Sequence, residues 1–271
     1  MGAYCLPAGP VAVQFSGGRT SAFMLRRLID AAGGSLPDRV HVLFQNTGRE
    51  YPETLDFVQR CAVAWGVRIV WLEADPAEGF RIVNHNSASR DGAPFVELVT
   101  RRGYLPNPVA RFCTQELKVR PSIKYMRCVA DHWVSAIGIR ADEPRRARGD
   151  DGKQRYRLWY PLFDAGVTVR DVAAFWRRQD FDLDLPSVNG RTPDGNCDGC
   201  FLKSEANRLA FARDFPDRAA WWSGLEQGAG ATFLKDISWQ QVIEYAERQS
   251  GFDFLHRSGM FCGAALGACT D

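Results

Sequence analysis

The sequence predicts an α/β protein built on a doubly wound, mainly parallel sheet, with a small cysteine-containing subdomain at the C-terminal end. Three observations carry that expectation. Short apolar runs alternate with helix-period segments from Val11 onward, the pattern of repeated βαβ units. Ser16-Gly17-Gly18-Arg19-Thr20-Ser21 lies between one such run and one such segment, so a glycine turn joins a strand to a helix start. From about Asp184 the texture changes to loops rich in Pro, Gly, Asn and Asp, followed by tryptophan-bearing helical stretches. The expected division is an α/β domain over residues 1–183 and a helical subdomain over residues 184–271 that holds a Cys-x-x-Cys knuckle.

The elements follow in order. Val11–Phe15, Val40–Gln45 and Val67–Glu73 are apolar runs of strand length, separated by helix-patterned Thr20–Ala32 and Pro52–Trp65. A long connection from Ala74 to Arg111 contains a short helix candidate at Ala93–Arg101, and Pro121–Asp131 reads as a helix opened by proline at its first position. Trp133–Ile139 is expected as a fourth parallel strand, Arg157–Leu162 as a fifth, and Thr168–Arg178 as a helix with one apolar face. Helical stretches around Asn207–Leu225 and Trp239–Gln249 complete the chain, and Trp221-Trp222 read as packing between them.

With 271 residues, 45% apolar and 24% charged, the chain can bury a full core. A net charge of +2 and a pI near 8.1 neither demand nor oppose a nucleic-acid partner. No apolar run has the length of a membrane span, and Met1–Leu6 carries no basic n-region, so the expectation is a cytoplasmic protein without a membrane partner. In a reducing cytosol the eight cysteines point to metal binding or catalysis more than to disulfides. Cys61 and Cys128 fall in helix-patterned stretches where a small buried hydrophobe is the expected role, and Cys5 has no partner pattern. Cys113, Cys197, Cys200, Cys262 and Cys269 remain as candidate ligands. The four histidines show no ligand spacing.

The strand–glycine–helix junction has the character of a phosphate cradle. Glycines remove Cβ atoms where backbone must approach an anion, and Ser16, Thr20 and Ser21 bring hydroxyls to the positive end of a helix dipole. Ser-Gly-Gly-x-x-Ser near the start of an α/β chain resembles the loop of the PP-loop ATP pyrophosphatases, which implies ATP bound along Ser16, Gly17, Gly18, Arg19, Thr20 and Ser21 and cleaved between its α and β phosphates. Phe44–Thr54, with Asn46-Thr47-Gly48 and Pro52-Glu53-Thr54, resembles a segment of the phosphoadenosine phosphosulfate reductase family, a branch of that superfamily with the adenine-nucleotide α-hydrolase fold. The resemblance runs from about Val11 to Lys203 and makes Asn46, Thr47, Gly48 and Glu50 nucleotide-site candidates. Gly138-Ile139-Arg140 through Arg146 is similar to the family's anion-holding arginine segment, for which a planar, permanently charged guanidinium is well suited.

Cys113-Thr114-Gln115-Glu116-Leu117-Lys118 together with Cys197-Asp198-Gly199-Cys200 is the most chemically specific constellation. A Cys-x-x-Cys in a polar loop brings two thiolates to one metal, and a distant cysteine adds a third. Iron–sulfur members of the family hold a [4Fe-4S] cluster with a Cys-Cys pair ahead of the lysine and a later Cys-x-x-Cys. Here Thr114 stands in place of the second cysteine, so either Cys262 or Cys269 is the fourth ligand or one iron is open; structural zinc is the bland alternative. The loop also departs from the family in having Arg19-Thr20 where Lys-Asp normally helps hold Mg²⁺, so either a carboxylate elsewhere, with Glu50 and Asp142 as candidates, takes over that task or the nucleotide is held without the contact.

The implied activity is adenylation of an acceptor followed by sulfur transfer, with Lys118, Arg140 and Arg146 as catalytic candidates. The acceptor, whether tRNA, DNA or a small metabolite, is not specified by the sequence. A competing expectation is a sulfonucleotide reductase that uses Cys262 or Cys269 and thioredoxin or another electron donor, although the family's Glu-Cys-Gly-Ile-His terminal segment is missing. A third is a zinc-knuckle nucleic-acid-binding protein, using the basic stretch Arg101, Arg102, Arg111, Lys118, Arg120, Lys124 and Arg127.

Overall fold

The computed structural model describes residues 2–147, 149, 152–195 and 197–248; Cys262 and Cys269 lie outside the described residues. A six-stranded sheet is ordered β4-β3-β2-β1-β5-β6. Its strands are β1 (Val11–Gln14), β2 (Val40–Asn46), β3 (Ile69–Glu73), β4 (Arg81–Val83), β5 (Trp133–Ile137) and β6 (Tyr156–Trp159). All pair in parallel except β4, which runs antiparallel to β3 at the edge. The architecture is the doubly wound α/β arrangement that the alternating pattern predicts. The three-residue β4 escaped the sequence because so short a segment has no measurable period.

Strand order reverses at β1, which has β2 on one side and β5 on the other. The crevice at the carboxyl ends of β1 and β5 is therefore the switch point where ligands of such sheets gather. Helices α1 (Arg19–Ala31) and α2 (Pro52–Ala64) cover one face together with α7 (Val169–Trp176). That face buries Val11, Val13, Phe15, Phe44 and Trp71, each of the larger side chains contributing about 1.5–3 kcal/mol. The remaining helical pieces before α7 are, in chain order, α3 (Ala93–Arg102), α4 (Phe112–Thr114), a π-helical turn at Gln115–Val119, α5 (Arg120–Val129) and α6 (Pro161–Asp164). The other face packs Ala12, Leu43, Val70 and Leu72 against Met126 of α5.

Pro121 does not open its helix as the sequence suggests. Helical backbone already runs from Phe112, and Pro121 sits in the first turn of α5 directly after the π turn. Proline supplies no N–H to the carbonyl four residues back, and the wider π turn relieves that mismatch. Cys61 is buried as expected, but Cys128 is exposed because it lies on the solvent side of α5. The single helical region expected near Asn207–Leu225 is two helices, α8 (Glu205–Asp214) and α9 (Pro216–Ala229), broken at Pro216. They pack with α10 (Trp239–Arg248), and one apolar cluster runs from α1 and α2 through Leu183 and Leu185 to Trp222 and Trp239. No helix among the described residues is long and apolar enough to cross a membrane.

Candidate functional site

The glycine turn has one position that only glycine suits. Gly17 takes φ +79°, and a Cβ there would stand 2.7 Å from Thr54 Cγ2. Gly18 is extended and caps α1. The first intrahelical bond is Ala22 N–H to Gly18 O, so the amides of Arg19, Thr20 and Ser21 precede the helical ladder. Ser21 is fully buried; its hydroxyl meets Ser16 Oγ at 2.9 Å and donates to Gly18 O at 3.0 Å, which braces the turn from within.

Arg19 points away from the turn. Its guanidinium donates to Asp182 at 2.7 Å, to Thr192 at 2.8 Å and to the carbonyls of Leu185 and Leu183, while its own carbonyl accepts from Trp176 Nε1 at 2.9 Å. Its side chain therefore pins the start of α1 to segments more than 150 residues later. Arg140 is also buried, 1% exposed, and reaches the other side of the turn, donating to Thr20 Oγ1 at 3.0 Å. Asp142 holds it at 3.0 Å, and Glu143 bridges Arg140 and Arg146. Arg140 and Arg146 thus stand at the switch point, held by carboxylates of their own loop. Thr20 Oγ1 and Asp142 are both engaged by Arg140, so among the described residues this side of the turn offers no carboxylate without a cationic partner for Mg²⁺.

The loop after β2 faces the thiols. Asn46 donates to Glu73 at 2.7 Å and accepts from Gly48 N–H at 3.2 Å, an Asx-type turn that sets the strand end. Glu50 accepts from the Thr47 amide and hydroxyl, both at 2.9 Å, and lies 3.8 Å from Lys118 Nζ. The same Thr47 hydroxyl contacts Cys197 Sγ at 3.4 Å. Cys113, Cys197 and Cys200 line one cavity with Thr47, Thr114 and Lys118. Burial pushes the Cys197 thiol up to about 12 against the pull of the Lys118 ammonium, so without metal it keeps its proton at neutral pH. Among the described residues no three His, Cys, Asp or Glu side chains close on a single point as a metal ion would require; the thiols share a wall instead.

Thr114 and Lys118 also line a second cavity of about 180 Å³, which Ser16 lines as well. The cradle and the thiol pocket are therefore neighbours across the π turn. A hydrogen-bonded row of Gln14, Gln45, Ser122 and Ser135 furnishes this second cavity, and Trp133 and Tyr156 stack at 5.3 Å near its far end. Gln14, Gln45 and Ser135 are polar side chains in a sheet face where aliphatic ones are the default.

Several contributors to the site are absent from the sequence reading. Asp198, fully buried between the two knuckle cysteines, accepts from Arg218 at 2.6 Å, Arg49 at 2.7 Å, Trp222 Nε1 at 2.8 Å and the Gly199 amide at 2.7 Å. Arg49 also lies 4.2 Å from the Trp221 ring centroid. Gly199 lets the Trp222 indole approach to 2.2 Å from where a Cβ would be. These bonds lock the knuckle to the loop after β2. The signal was a charged residue inside a Cys-x-x-Cys loop. Conversely, the basic stretch is partly neutralised, since Arg102, Arg120 and Arg101 converge on Glu116 at 2.6, 2.9 and 3.6 Å.

The model of the phosphoadenosine phosphosulfate reductase domain matches residues 10–180. The chain belongs to this family. It is also 33% identical over 206 residues to an uncharacterized nin region protein, ORF290, of Escherichia phage lambda, a match that takes in 71% of this chain and 66% of the phage protein. Among solved structures, the U34-tRNA thiolase NcsA from Methanococcus maripaludis, with its [4Fe-4S] cluster, aligns over 91% of this chain and 74% of its own, at 15% identity and a TM-score of 0.42. For a reductase-family chain, the matched region takes in the glycine turn, the loop after β2, Cys113, Lys118 and Arg140, and stops short of Cys197 and Cys200.

Proposed function

We propose that this family member is a nucleotide-activating sulfur-transfer enzyme that uses ATP and holds a [4Fe-4S] cluster on Cys113, Cys197 and Cys200. The observation that carries the reading is the pair of cavities sharing Thr114 and Lys118, one lined also by Ser16 of the glycine turn and one lined by the three thiols. The donor set suits an iron–sulfur group, because three soft thiols line one pocket that Arg111 and Lys118 also line.

In this reading the triphosphate lies at the start of α1, where unladdered amides and the helix dipole favour negative charge. The polar row of Gln14, Gln45, Ser122 and Ser135 takes the edges of the adenine. An acceptor oxygen attacks the α-phosphorus, the bond to the bridging oxygen breaks, and pyrophosphate leaves with the charge that Arg140 and Arg146 stabilise. The nucleotide's own phosphates carry Mg²⁺, since Thr20 and Asp142 are both occupied by Arg140. When bound, the cluster supplies a carrier for the incoming sulfur. Lys118 stands between the two cavities to orient the anion that passes from one to the other, and Thr47 holds Cys197 in place. The sulfur acceptor is a tRNA, a DNA or a small metabolite.

The test is anaerobic purification followed by an absorption spectrum, iron and labile-sulfide counts, and an assay of pyrophosphate release from ATP. Matching amounts of iron and sulfide, with acceptor-dependent pyrophosphate, are expected. A colourless zinc protein, or thioredoxin-dependent sulfite release from a sulfonucleotide without pyrophosphate release from ATP, overturns the reading.

A further inference from the structure

Arg101 and Arg102 at the end of α3 and Arg120 at the start of α5 converge on one carboxylate, Glu116 of the π turn. Glu116 is 7% exposed, whereas the three arginine side chains are 45, 40 and 54% exposed. A single buried acid thus gathers three guanidinium groups at the surface and leaves their outer N–H donors in solvent. A planar fork already held in place gives up little freedom when it meets an oxyanion.

Arg102 continues into an aromatic pair. Its guanidinium carbon lies 5.4 Å from the Phe112 ring centroid, and Phe112 meets Tyr104 edge-on at 4.9 Å. Tyr104 is 47% exposed, so one ring of the pair is open to solvent. Lys124 and Arg127 follow Arg120 at the i+4 and i+7 positions of α5 and extend a basic row along one side of that helix. A recess of about 80 Å³ beside the row is lined by Arg101, Arg120 and Lys124 but also by Asp75, Glu97 and Glu116, so charge inside it balances. The surplus lies outside the recess, with Arg102 and the exposed Arg127. This surface adjoins the thiols: Phe112 directly precedes Cys113, and Leu117 lines both the recess and the thiol cavity.

We propose that Arg102, Tyr104, Arg120 and Arg127 form a docking surface for a single-stranded polynucleotide, which makes the sulfur acceptor a nucleic acid; the docking stands on its own, and the acceptor role rests on the function proposed above. Phosphates of a single strand take the guanidinium groups, and an unstacked base offers its flat face to the Tyr104 ring. A duplex keeps those faces inside its stack.

The experiment titrates the full chain into short fluorescein-labelled oligo(U) RNA, oligo(dT) DNA and a DNA duplex of the same length, read by fluorescence anisotropy at several salt concentrations. The single strands should bind several-fold more tightly than the duplex, and the tighter of the two identifies the acceptor's sugar. Arg102→Gln with Arg127→Gln should weaken single-strand binding and flatten the slope of log affinity against log salt by about 0.7 for each charge removed. Tyr104→Ala should weaken it about tenfold with the slope kept, and Tyr104→Phe should restore it. Lys235→Gln, exposed in the wall of a different cavity, should change neither. Circular dichroism checks the fold, and the Tyr104 pair decides the matter should the double arginine variant fold poorly. Wild-type protein that binds neither single strand, a duplex bound as tightly as they are, or variants that keep wild-type affinity and slope overturn this surface and leave pyrophosphate release and cluster counts standing. A strand that binds while ATP yields no pyrophosphate overturns the proposed function and leaves the surface.

Discussion

The glycine turn at Ser16–Ser21 and the thiol loop at Cys197–Cys200 are both short polar loops with a glycine at their tightest point, yet they are held in different ways. The turn is braced from within, through Ser16, Ser21 and the Gly18 carbonyl, and separately from outside, through Arg19 to Asp182 and Thr192 and through Arg140 to Thr20. The thiol loop is held by partners from far along the chain: Arg49 from the loop after β2, and Arg218 and Trp222 from α9. A loop braced by several separate groups tolerates the loss of any one of them, whereas a loop held through one buried carboxylate fails when that carboxylate is lost.

The largest expected effect tests that contrast directly. Asp198→Ala leaves two arginines without their shared partner and should destabilise the protein by about 3–5 kcal/mol in urea unfolding. It should also scatter the thiols and abolish iron retention. If Asp198→Ala keeps both stability and iron, the knuckle is not held as described. Gly17→Ala comes next, at about 2–4 kcal/mol, since it adds left-handed strain to the 2.7 Å clash with Thr54. Nucleotide affinity measured by calorimetry should fall with it while iron content stays at the wild-type level, which separates the two loops.

Cys200→Ser should remove the iron with a stability change of under about 1 kcal/mol in the metal-free chain, within the range of mild substitutions. The exposed Cys128→Ser should change neither.

The smallest effects concern two buried carboxylates with opposite pH behaviour. At Glu116 burial raises the carboxyl, but Arg120 and Arg102 outweigh it and hold it below the usual range. Its stabilisation is present above the unfolded value near about 4.3 and is lost as pH falls through the lower folded value. Burial raises Glu226, with the amides of Phe233 and Trp239 only partly opposing it. Its contribution is fullest below the unfolded value and declines as pH rises through the folded one. Melting temperatures of Glu116→Gln and Glu226→Gln between acid and neutral pH should therefore diverge from wild type in opposite directions. Parallel profiles would refute the assignment.

Elements with a strong period were legible in the sequence. β1, α1, β2 and α2 lie within a residue or two of their expected ends because alternation of apolar runs and helical stripes is a property of neighbouring residues. The glycine turn was legible for the same reason, although the close approach of Thr54 to Gly17 was not. The orientation of Arg19 was not legible, since its guanidinium serves Asp182 and Thr192, residues that no local pattern connects to it. Cys113 and the knuckle were recognisable by type and spacing, but the carboxylate between the cysteines carries no period and forms no motif with its partners.

By itself the sequence determined the doubly wound sheet, the glycine turn between its first strand and helix, and which cysteines share a spacing, because each follows from covalent neighbours: apolar period, φ freedom and side-chain chemistry. Only the tertiary structure decided that Cys113 shares a cavity with Cys197 and Cys200, that Lys118 of the π turn lines both this cavity and the one that Ser16 lines, and that Asp198 is fully buried between the two knuckle cysteines. The physical reason is that burial and electrostatic pairing depend on distance in space, which the fold sets only once strand order and helix packing bring remote segments together.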